Sequence, residues 1–327
     1  MTMTGWIPYQ ISLAEDHPSV RWTQLGTTRL LEPFFEETLQ KQLNQPFHQL
    51  FARQTSMDVL LELAETRSSL PLRGIVLHMS RCGSTLLSQM LAASPRNVVA
   101  SEPSPLDAIL RAQSTYPQLD HATHIRWIRA MAHALAQPRT GQEDAFYLKL
   151  DCWHLNQLAL LREAFPEAPL LFLYREPLEV MVSHARMPAA WSIPGILHPL
   201  ALSLKHEDWE PQHLERYAAK ALANFCRNGL LAAEACNALL VNFTQLPVAV
   251  FGSIAQHFSL RLEDYPAMLA QSQRDAKRPY QPFTPDSEQK RAEASPQVQE
   301  ATELLLRELY QQLEAAREAQ ERTVTAL

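Results

Sequence analysis

Short apolar runs and longer helical patterns alternate along the chain from residue 74 onward. The apolar runs occupy positions 74–79, 98–100, 146–150, 170–174 and 239–243. Hydrophobicity within each run is continuous rather than alternating, as in strands that are buried on both faces. The intervening helical patterns lie at 85–93, 153–165, 177–187 and 214–235. Because such alternation folds through right-handed crossovers, we predict a three-layer α/β/α domain with a central parallel sheet of about five strands.

The rest of the chain divides into a leading segment, an irregular insertion and a trailing helix. Residues 1–70 are predicted to form a helical extension that packs on the main domain, with Thr55 as a helix N-cap. Residues 71–327 form the main domain in this interpretation. Prolines and tryptophans interrupt the pattern at 187–210, which indicates an irregular lid. Apolar positions share one face of a last helix near 297–320.

Composition and charge narrow the class of protein. Apolar residues make up 46% of the 327 residues and charged residues 20%, so the chain can bury a sizeable core. The net charge is −6 and no long basic block is present, which argues against a dedicated nucleic-acid binder. The N-terminus lacks a signal-peptide pattern, no apolar run approaches the roughly 20 residues of a membrane span, and the four cysteines form no C-x-x-C pair. These features predict a reduced, cytoplasmic protein without a membrane partner.

The first chemical motif is the sequence SRCGSTLL at positions 80–87, which leads from an apolar run directly into a helical pattern. Backbone N–H groups at a helix N-terminus, reinforced by the helix dipole, form an anion site. Gly83 permits close approach of the chain to a ligand, and Ser84 and Thr85 add hydroxyls. In the Walker pattern G-x-x-x-x-G-K-S/T, His78 replaces the first glycine and Ser84 the lysine that grips a triphosphate. The loop therefore favours a nucleotide whose 5′ end carries one phosphate and another charged group. Arg81 can point towards that end of the ligand.

The second motif is YREPLEVMVS at positions 174–183, again at the end of an apolar run. In this motif Arg175 lies at the carboxyl end of the predicted strand. Pro177 then occupies the first turn of the next helix, where its missing N–H costs nothing. Ser183 follows two helical turns after Arg175. A salt-bridged arginine and an ordinary helical serine are the alternative for this motif taken alone.

Together the two motifs resemble those of sulfotransferases that use 3′-phosphoadenosine 5′-phosphosulfate (PAPS), which have a P-loop NTPase-like fold. The resemblance covers about residues 72–285 and includes the motifs of tyrosylprotein sulfotransferases. It implies that Arg81 faces the transferring sulfuryl group and that Arg175 and Ser183 bind the 3′-phosphate. Cys82 departs from the serine common at its position, and Glu176 replaces the usual aspartate. The residues implied to hold the 5′-phosphosulfate are Arg81, Cys82, Gly83, Ser84, Thr85 and Leu86.

Weaker matches extend the resemblance. The sequence LKLD at 148–151 is similar to the family's K-x-P or K-D-P motif, which implies that Lys149 offsets charge on the bridging oxygen. The sequence NFTQL at 242–246 diverges from the family's Y-E-D-L. Lys277 belongs to a late basic loop that in the family folds over the nucleotide. Residues 1–68 carry no family signal.

Glu102 is the acid that the resemblance implies as general base, since it follows the second predicted strand in the sequence VVASEP at 98–103. Its alternative role is to neutralise Arg81 or Lys149. Because ligands bind at the carboxyl ends of parallel strands, one crevice is expected to hold Arg81, Glu102, Lys149 and Arg175. The rival bases are His78, His154 and His184. The twelve histidines show no H-E-x-x-H pattern, so no metal cofactor is expected.

The function predicted from the resemblance is in-line transfer of a sulfuryl group from PAPS to an acceptor hydroxyl or amine. A P-loop nucleotide or small-molecule kinase is the alternative, although position 84 lacks the lysine. A cysteine phosphatase is rejected because Arg81 precedes Cys82 and Ser88 stands where H-C-x-x-x-x-x-R requires arginine. A catalytically silent nucleotide-binding relative also stays open. The sequence identifies neither the acceptor nor the oligomeric state.

Overall fold

The computed structural model describes residues 3–13, 17–51, 53–208, 213–276 and 287–325. The strands are β1 (Trp6–Ser12), β2 (Ser19–Gln24), β3 (Arg53–Ser56), β4 (Leu72–His78), β5 (Asn97–Ser101), β6 (Ala145–Lys149), β7 (Leu170–Tyr174) and β8 (Leu239–Asn242). The α-helices are α1 (Phe35–Leu43), α2 (Pro46–Leu50), α3 (Met57–Thr66), α4 (Ser84–Ala93), α5 (Ser104–Leu110), α6 (Ala112–Thr115), α7 (His121–Leu135), α8 (Leu158–Ala164), α9 (Pro177–Arg186), α10 (Leu214–Cys236), α11 (Ser253–Phe258), α12 (Tyr265–Ser272), α13 (Ser287–Ala292), α14 (Pro296–Leu305) and α15 (Arg307–Thr325).

The central sheet contains five parallel strands in the order β5-β6-β4-β7-β8. Each strand coincides with one of the predicted apolar runs, so the predicted α/β fold class is confirmed. All five residues of β5, β6 and β7 are buried, which explains why these runs do not alternate. Because the strands are parallel, the segments that follow them emerge at the same edge of the sheet.

Helices cover both sides of this sheet. The helix α4 packs against β5, β6 and α12, whereas α10 packs against β4, β7 and β8. The close approach of α10 depends on Gly229, since a Cβ there would lie 2.2 Å from the ring of Phe172 in β7. The predicted helix at 153–165 forms as a 3₁₀ turn, Cys152–Gln157, followed by α8.

The N-terminal segment contains a second sheet, antiparallel and ordered β1-β2-β3. The prediction of a purely helical extension is therefore wrong. Thr55 lies in β3, and the N-cap of α3 is Ser56. Hydrogen bonds join this segment to the main domain, including those from Ser101 Oγ to the Pro33 carbonyl (2.9 Å) and from Gln89 Nε2 to the Leu31 carbonyl (3.1 Å).

The C-terminal part contains two helices, α14 and α15, where the sequence predicts one. The chain leaves helical geometry at Leu306, which has φ −123°. Residues 187–208 form an irregular segment with short 3₁₀ turns, as predicted for the lid, while positions 209 and 210 lie outside the described residues. None of the helices in the described ranges combines the length and apolarity that a bilayer span requires.

Candidate active site

A cavity of about 560 Å³ opens at the carboxyl edge of the central sheet. Its wall includes residues that end or follow four of the strands, namely His78, Glu102, Asp151 and Arg175. This is the edge at which open parallel sheets bind ligands. Strand order, rather than any local motif, brings these side chains together.

The loop between β4 and α4 has an unusual backbone. Ser80, Arg81 and Gly83 have φ values of 79°, 50° and 88°. Gly83 is required for two reasons, since it adopts a positive φ and its missing Cβ would lie 2.8 Å from the Phe243 ring. The first hydrogen bond within α4 runs from the Leu87 N–H to the Gly83 carbonyl, so the preceding amides have no partner inside the helix. The residues of this loop and helix start that line the cavity are Ser80, Arg81, Cys82, Gly83, Ser84, Thr85 and Leu86.

Hydrogen bonds hold the loop in this shape. The Ser80 N–H donates to His78 Nδ1 (3.0 Å), and Ser80 Oγ lies 3.2 Å from Nε2 of His184 in α9. The Cys82 thiol donates to the Leu173 carbonyl (3.1 Å), and burial raises the pKa of this thiol to about 12. Cys82 is therefore a neutral thiol bonded to the core, which agrees with the rejection of a cysteine phosphatase.

Arg81 extends from the loop towards the lid. Its guanidinium donates to the carbonyl of Met187 at the end of α9 (3.1 Å). Both residues line the cavity. The anion loop and the start of the irregular segment are thus joined directly through Arg81.

Arg175 is positioned by contacts on three sides. Its Nε donates to Glu179 Oε2 (2.6 Å), its Nη2 donates to Ser287 Oγ (3.1 Å), and its guanidinium stacks 4.1 Å from the centroid of the Phe243 ring. Ser183 lies one turn beyond Glu179 on α9 and donates to its carbonyl (2.9 Å). Arg175 and Ser183 both line the same cavity as the anion loop.

The described part of the cavity wall contains more cationic than acidic side chains, with Asp275 among the acids. Glu179 also pairs with Arg291 (2.8 Å), so one carboxylate faces two guanidinium groups. Lys290, which is buried, and Arg274 add two cations to the cavity wall. Sequence reasoning missed both residues, although they flank the basic loop it did identify. Lys277 in that loop lies outside the described residues.

Glu102 follows β5 with a φ of 53° and is held by two basic side chains. Lys149 Nζ lies 2.5 Å and His78 Nε2 3.3 Å from the same oxygen, Oε1. Burial alone would raise the pKa of Glu102, but Lys149 and His78 hold it well below its ordinary value. Among the described residues, no hydrogen bond or ion pair reaches the other oxygen, Oε2.

Lys149 is placed differently from the other predicted site residues. It is 1% exposed, does not line the cavity, and lies 5.0 Å from the centroid of the Phe34 ring. Its ammonium group therefore contacts Glu102 from the protein interior. Phe34 itself is a cavity residue from the N-terminal segment, which carries no family signal.

Asp151 supplies a second carboxylate to the cavity wall. Burial, with the charges of Glu102 and Asp107, raises the pKa of Asp151 well above its ordinary value despite Lys149 and Arg111. Its carboxylate accepts no hydrogen bond from the residues that the structure describes. Glu102 and Asp151 thus have pKa values displaced in opposite directions.

Asp107, Asp151 and His154 bring candidate metal-ligand atoms within 4.8 Å of one another. Asp107 Oδ1 already accepts hydrogen bonds from Trp153 Nε1 (2.8 Å) and His154 Nε2 (2.9 Å), while its Oδ2 pairs with Arg111. A cation here would have to displace these donors, so the group is better explained as a hydrogen-bonded network. His154 consequently has a structural partner, as does His184 with Ser80.

Comparison with known proteins identifies the family. A model described as "Sulfotransferase family" matches residues 75–264, which is more than half of the chain, so the chain belongs to the sulfotransferase family. No curated protein matches significantly.

Solved structures similar to this chain include three sulfotransferases. STF9 from Mycobacterium avium has 16% identity and a TM-score of 0.42, with 65% of this chain and 70% of that chain covered. The sulfotransferase domain of the Synechococcus PCC 7002 olefin synthase has 17% identity and a TM-score of 0.41, covering 73% and 96%. The sulfotransferase domain from the curacin biosynthetic pathway has 15% identity and a TM-score of 0.42, covering 73% and 98%.

Proposed function

We propose that the protein transfers a sulfuryl group from PAPS to an acceptor hydroxyl. The observation that carries this proposal is the composition of one cavity: its wall contains the helix-start amides after Gly83, the Arg175–Ser183 pair and the carboxylate of Glu102. Binding an adenosine that carries phosphates at both its 5′ and 3′ positions requires the helix-start amides and the Arg175–Ser183 pair in the same cavity. Sulfuryl transfer also requires the Glu102 carboxylate nearby, to accept the proton of the hydroxyl.

The donor fits the charges of this cavity. The amides of Ser84, Thr85 and Leu86 would bind the 5′-phosphosulfate at the N-terminus of α4. Arg175 and Ser183 would bind the 3′-phosphate, where the surplus of cations over Glu179 favours an anion. A kinase is the weaker candidate because position 84 carries a serine in place of the lysine that grips a triphosphate.

The chemical step is a single displacement at sulfur. The acceptor oxygen bonds to the sulfur while the bond from sulfur to the 5′-phosphate oxygen breaks, releasing adenosine 3′,5′-bisphosphate (PAP). The acceptor proton passes to Glu102 Oε2, and the products are the sulfate ester, PAP and a protonated carboxyl. Arg81 would stabilise the sulfuryl oxygens, so positioning and electrostatics supply most of the catalysis.

Lys149 and His78 act on this step through Glu102. Both approach Oε1, which fixes the carboxylate and directs the unpartnered Oε2 to the acceptor. In this arrangement Lys149 is a positioning residue, because it is enclosed behind Glu102 and outside the cavity wall. Its charge also keeps Glu102 ionised before the proton arrives.

The variant Glu102→Gln tests the proposal. Because glutamine cannot accept the proton, transfer from PAPS should slow by about 10²- to 10⁴-fold. PAP affinity should stay within about twofold, since the phosphate-binding groups are untouched. The measurement is PAP release with pooled alcohols, phenols, sugars and tyrosine peptides as acceptors.

The matched control is Glu303→Gln, an exposed glutamate that pairs with Arg307 on the C-terminal helices. This variant should transfer at the wild-type rate. If wild-type protein releases no PAP with any acceptor in the pool, the proposed function is wrong. Equal rates for wild type and Glu102→Gln would instead exclude Glu102 as the proton acceptor.

A further inference from the structure

The segment at 187–204 has an unusual charge pattern. Its sequence, MPAAWSIPGILHPLALSL, contains no aspartate, glutamate, lysine or arginine, although a fifth of the whole chain is charged. The segment begins at the cavity, because Met187, Ala189, Ala190 and Trp191 all line it. An uncharged stretch therefore starts at the functional site and continues away from it.

Large apolar side chains of this segment are exposed. Met187 is 60%, Ile196 56% and Leu200 70% exposed, with Ile193 also among the exposed apolar residues. The segment nevertheless has its own anchors, since Trp191 and Leu202 are completely buried. The exposed side chains therefore do not contribute to the packing that holds the segment in place. Exposed apolar side chains that follow a cavity-lining stretch along the chain are candidates for a binding surface.

The side chains of Ser192 and His198 make hydrogen bonds within the segment, whereas the buried Nε1 of Trp191 at the cavity wall has no partner among the described residues. Ser192 Oγ donates to the Ala189 carbonyl (2.8 Å) and accepts from the Ala189 N–H (3.1 Å). His198 Nδ1 accepts from the Leu200 N–H (3.3 Å). A sugar would need free donors and acceptors on this surface to replace its hydrogen bonds to water.

The remaining wall near Glu102 is aromatic and acidic. Phe34 and Trp153 line it together with the carboxyl groups of Glu102 and Asp151, and the Lys149 ammonium lies behind Glu102. Because Glu102 is ionised and would accept the hydroxyl proton, it disfavours an acceptor with a negative charge close to that hydroxyl, such as an acidic peptide or a polysulfated sugar.

We propose that the acceptor is an uncharged aliphatic alcohol whose hydrocarbon chain packs along the apolar side chains of 187–204. This inference rests on the proposed function and specifies its substrate class. The hydroxyl would lie at Glu102, and the chain would leave the cavity past Met187 towards Ile196 and Leu200. Burial of each methylene against these side chains provides the affinity.

A series of primary alcohols tests the inference. We expect kcat/KM for transfer from PAPS to rise by about two- to fourfold per methylene from butan-1-ol through hexan-1-ol to octan-1-ol. Glucose and an acidic tyrosine peptide should be at least tenfold poorer than octan-1-ol. Rates that do not depend on chain length, or a preference for the sugar or the peptide, would overturn the proposal.

Variants of the exposed side chains give a second readout. The double variant Ile196→Ser, Leu200→Ser should reduce the preference for octan-1-ol over butan-1-ol by about tenfold, because the longer chain packs on more of this apolar surface. The matched control is Leu262→Ser, since Leu262 is 75% exposed and its neighbour Arg261 pairs with Asp144 before the start of β6, at the opposite edge of the sheet. This control should keep the full preference.

The two proposals fail in different ways. PAP binding is measured by titration without any acceptor. If PAP binds but no alcohol is sulfated, the inference about the acceptor is wrong and the donor assignment stands. If neither PAP binding nor transfer occurs, the proposed function is wrong as well. If the double variant keeps the wild-type preference for longer alcohols, only the role of 187–204 is contradicted, and the proposed function stands.

Discussion

At the scale of single residues, two carboxyl groups of the cavity wall, those of Glu102 and Asp151, are in different states. Glu102 stays ionised because Lys149 and His78 outweigh the effect of its burial. Asp151 lies close enough to Glu102 and Asp107 for their charges to oppose its ionisation. A pair of acids whose pKa values are pushed apart is typical of active sites that move a proton. The environment, rather than the residue type, makes Glu102 the charged member.

The raised pKa of Asp151 predicts a pH-dependent effect of Asp151→Asn. Between the pKa of the unfolded chain and the raised folded pKa, the folded protein binds the extra proton, so stability falls as pH rises. Asparagine does not titrate, so the variant lacks this loss of stability at higher pH. We therefore expect the variant to gain thermal stability relative to wild type at pH 8, with little or no gain at pH 4.

Thermal unfolding of both proteins across this pH range is the measurement. The control is Asp120→Asn, because Asp120 caps α7 through the Thr123 N–H and its pKa is lowered rather than raised. That variant should show no gain at pH 8, since asparagine can also accept the Thr123 N–H. A gain for Asp151→Asn that is largest at acid pH would contradict the account of Asp151.

At the scale of elements, the loop between β4 and α4 stores backbone strain beside the proposed donor site. Two non-glycine residues, Ser80 and Arg81, have positive φ and persist because His78, His184 and Leu173 hold the loop through hydrogen bonds. Strain of this kind concentrates at functional sites. Gly83 adds the steric requirement described above.

Gly83→Ala is expected to destabilise the protein by about 1–3 kcal/mol and to lower PAP affinity by at least tenfold. Its new Cβ would have to displace Phe243, on which Arg175 stacks. Gly141→Ala is a matched control, since Gly141 has φ +80° but nothing lies within 4 Å of the built Cβ. The control should lose stability and keep full affinity. Equal affinity losses in the two variants would contradict the role of Gly83.

The central sheet could be predicted because its strands are buried on both faces and read as unbroken apolar runs. The N-terminal sheet could not, since β1 contains Pro8 and its pairing with β2 shifts register between Pro8 and Gln10. No glycine or proline marks the break at Leu306 between α14 and α15, so the sequence predicts one helix there. Local sequence patterns are enough to predict strands that are buried along their whole length. They do not predict elements whose bounds depend on tertiary contacts.

Some residues of the candidate site could likewise be predicted from the sequence, and others could not. Arg81, Glu102 and Arg175 were predictable because each follows a strand and parallel strands share an edge. Phe34 and Lys290 were not, because they reach the cavity from distant parts of the chain through tertiary packing. The burial of Lys149 behind Glu102 also depends on packing that no sequence spacing encodes.

At the scale of the whole molecule, an acidic chain forms a cavity whose wall is mainly cationic. The net charge is −6, yet the described wall contains Arg81, Arg175, Arg186, Arg274 and Lys290 against Glu102, Asp151 and Asp275. Local fields of this kind select ligands more strongly than net charge does. The arrangement favours a donor with phosphates at both ends of an adenosine, lying between α4 and α9, and a neutral acceptor on the other side.

Calorimetric titration with PAP and with ADP tests this central claim most directly. If Arg175 and Ser183 bind a 3′-phosphate, wild-type protein should bind PAP about ten- to a hundredfold more tightly than ADP. Arg175→Ala and the milder Ser183→Ala should each reduce that ratio, whereas Arg216→Ala, an exposed arginine paired with Glu300, should preserve it. Tighter binding of ADP than of PAP by the folded wild-type protein would contradict the account.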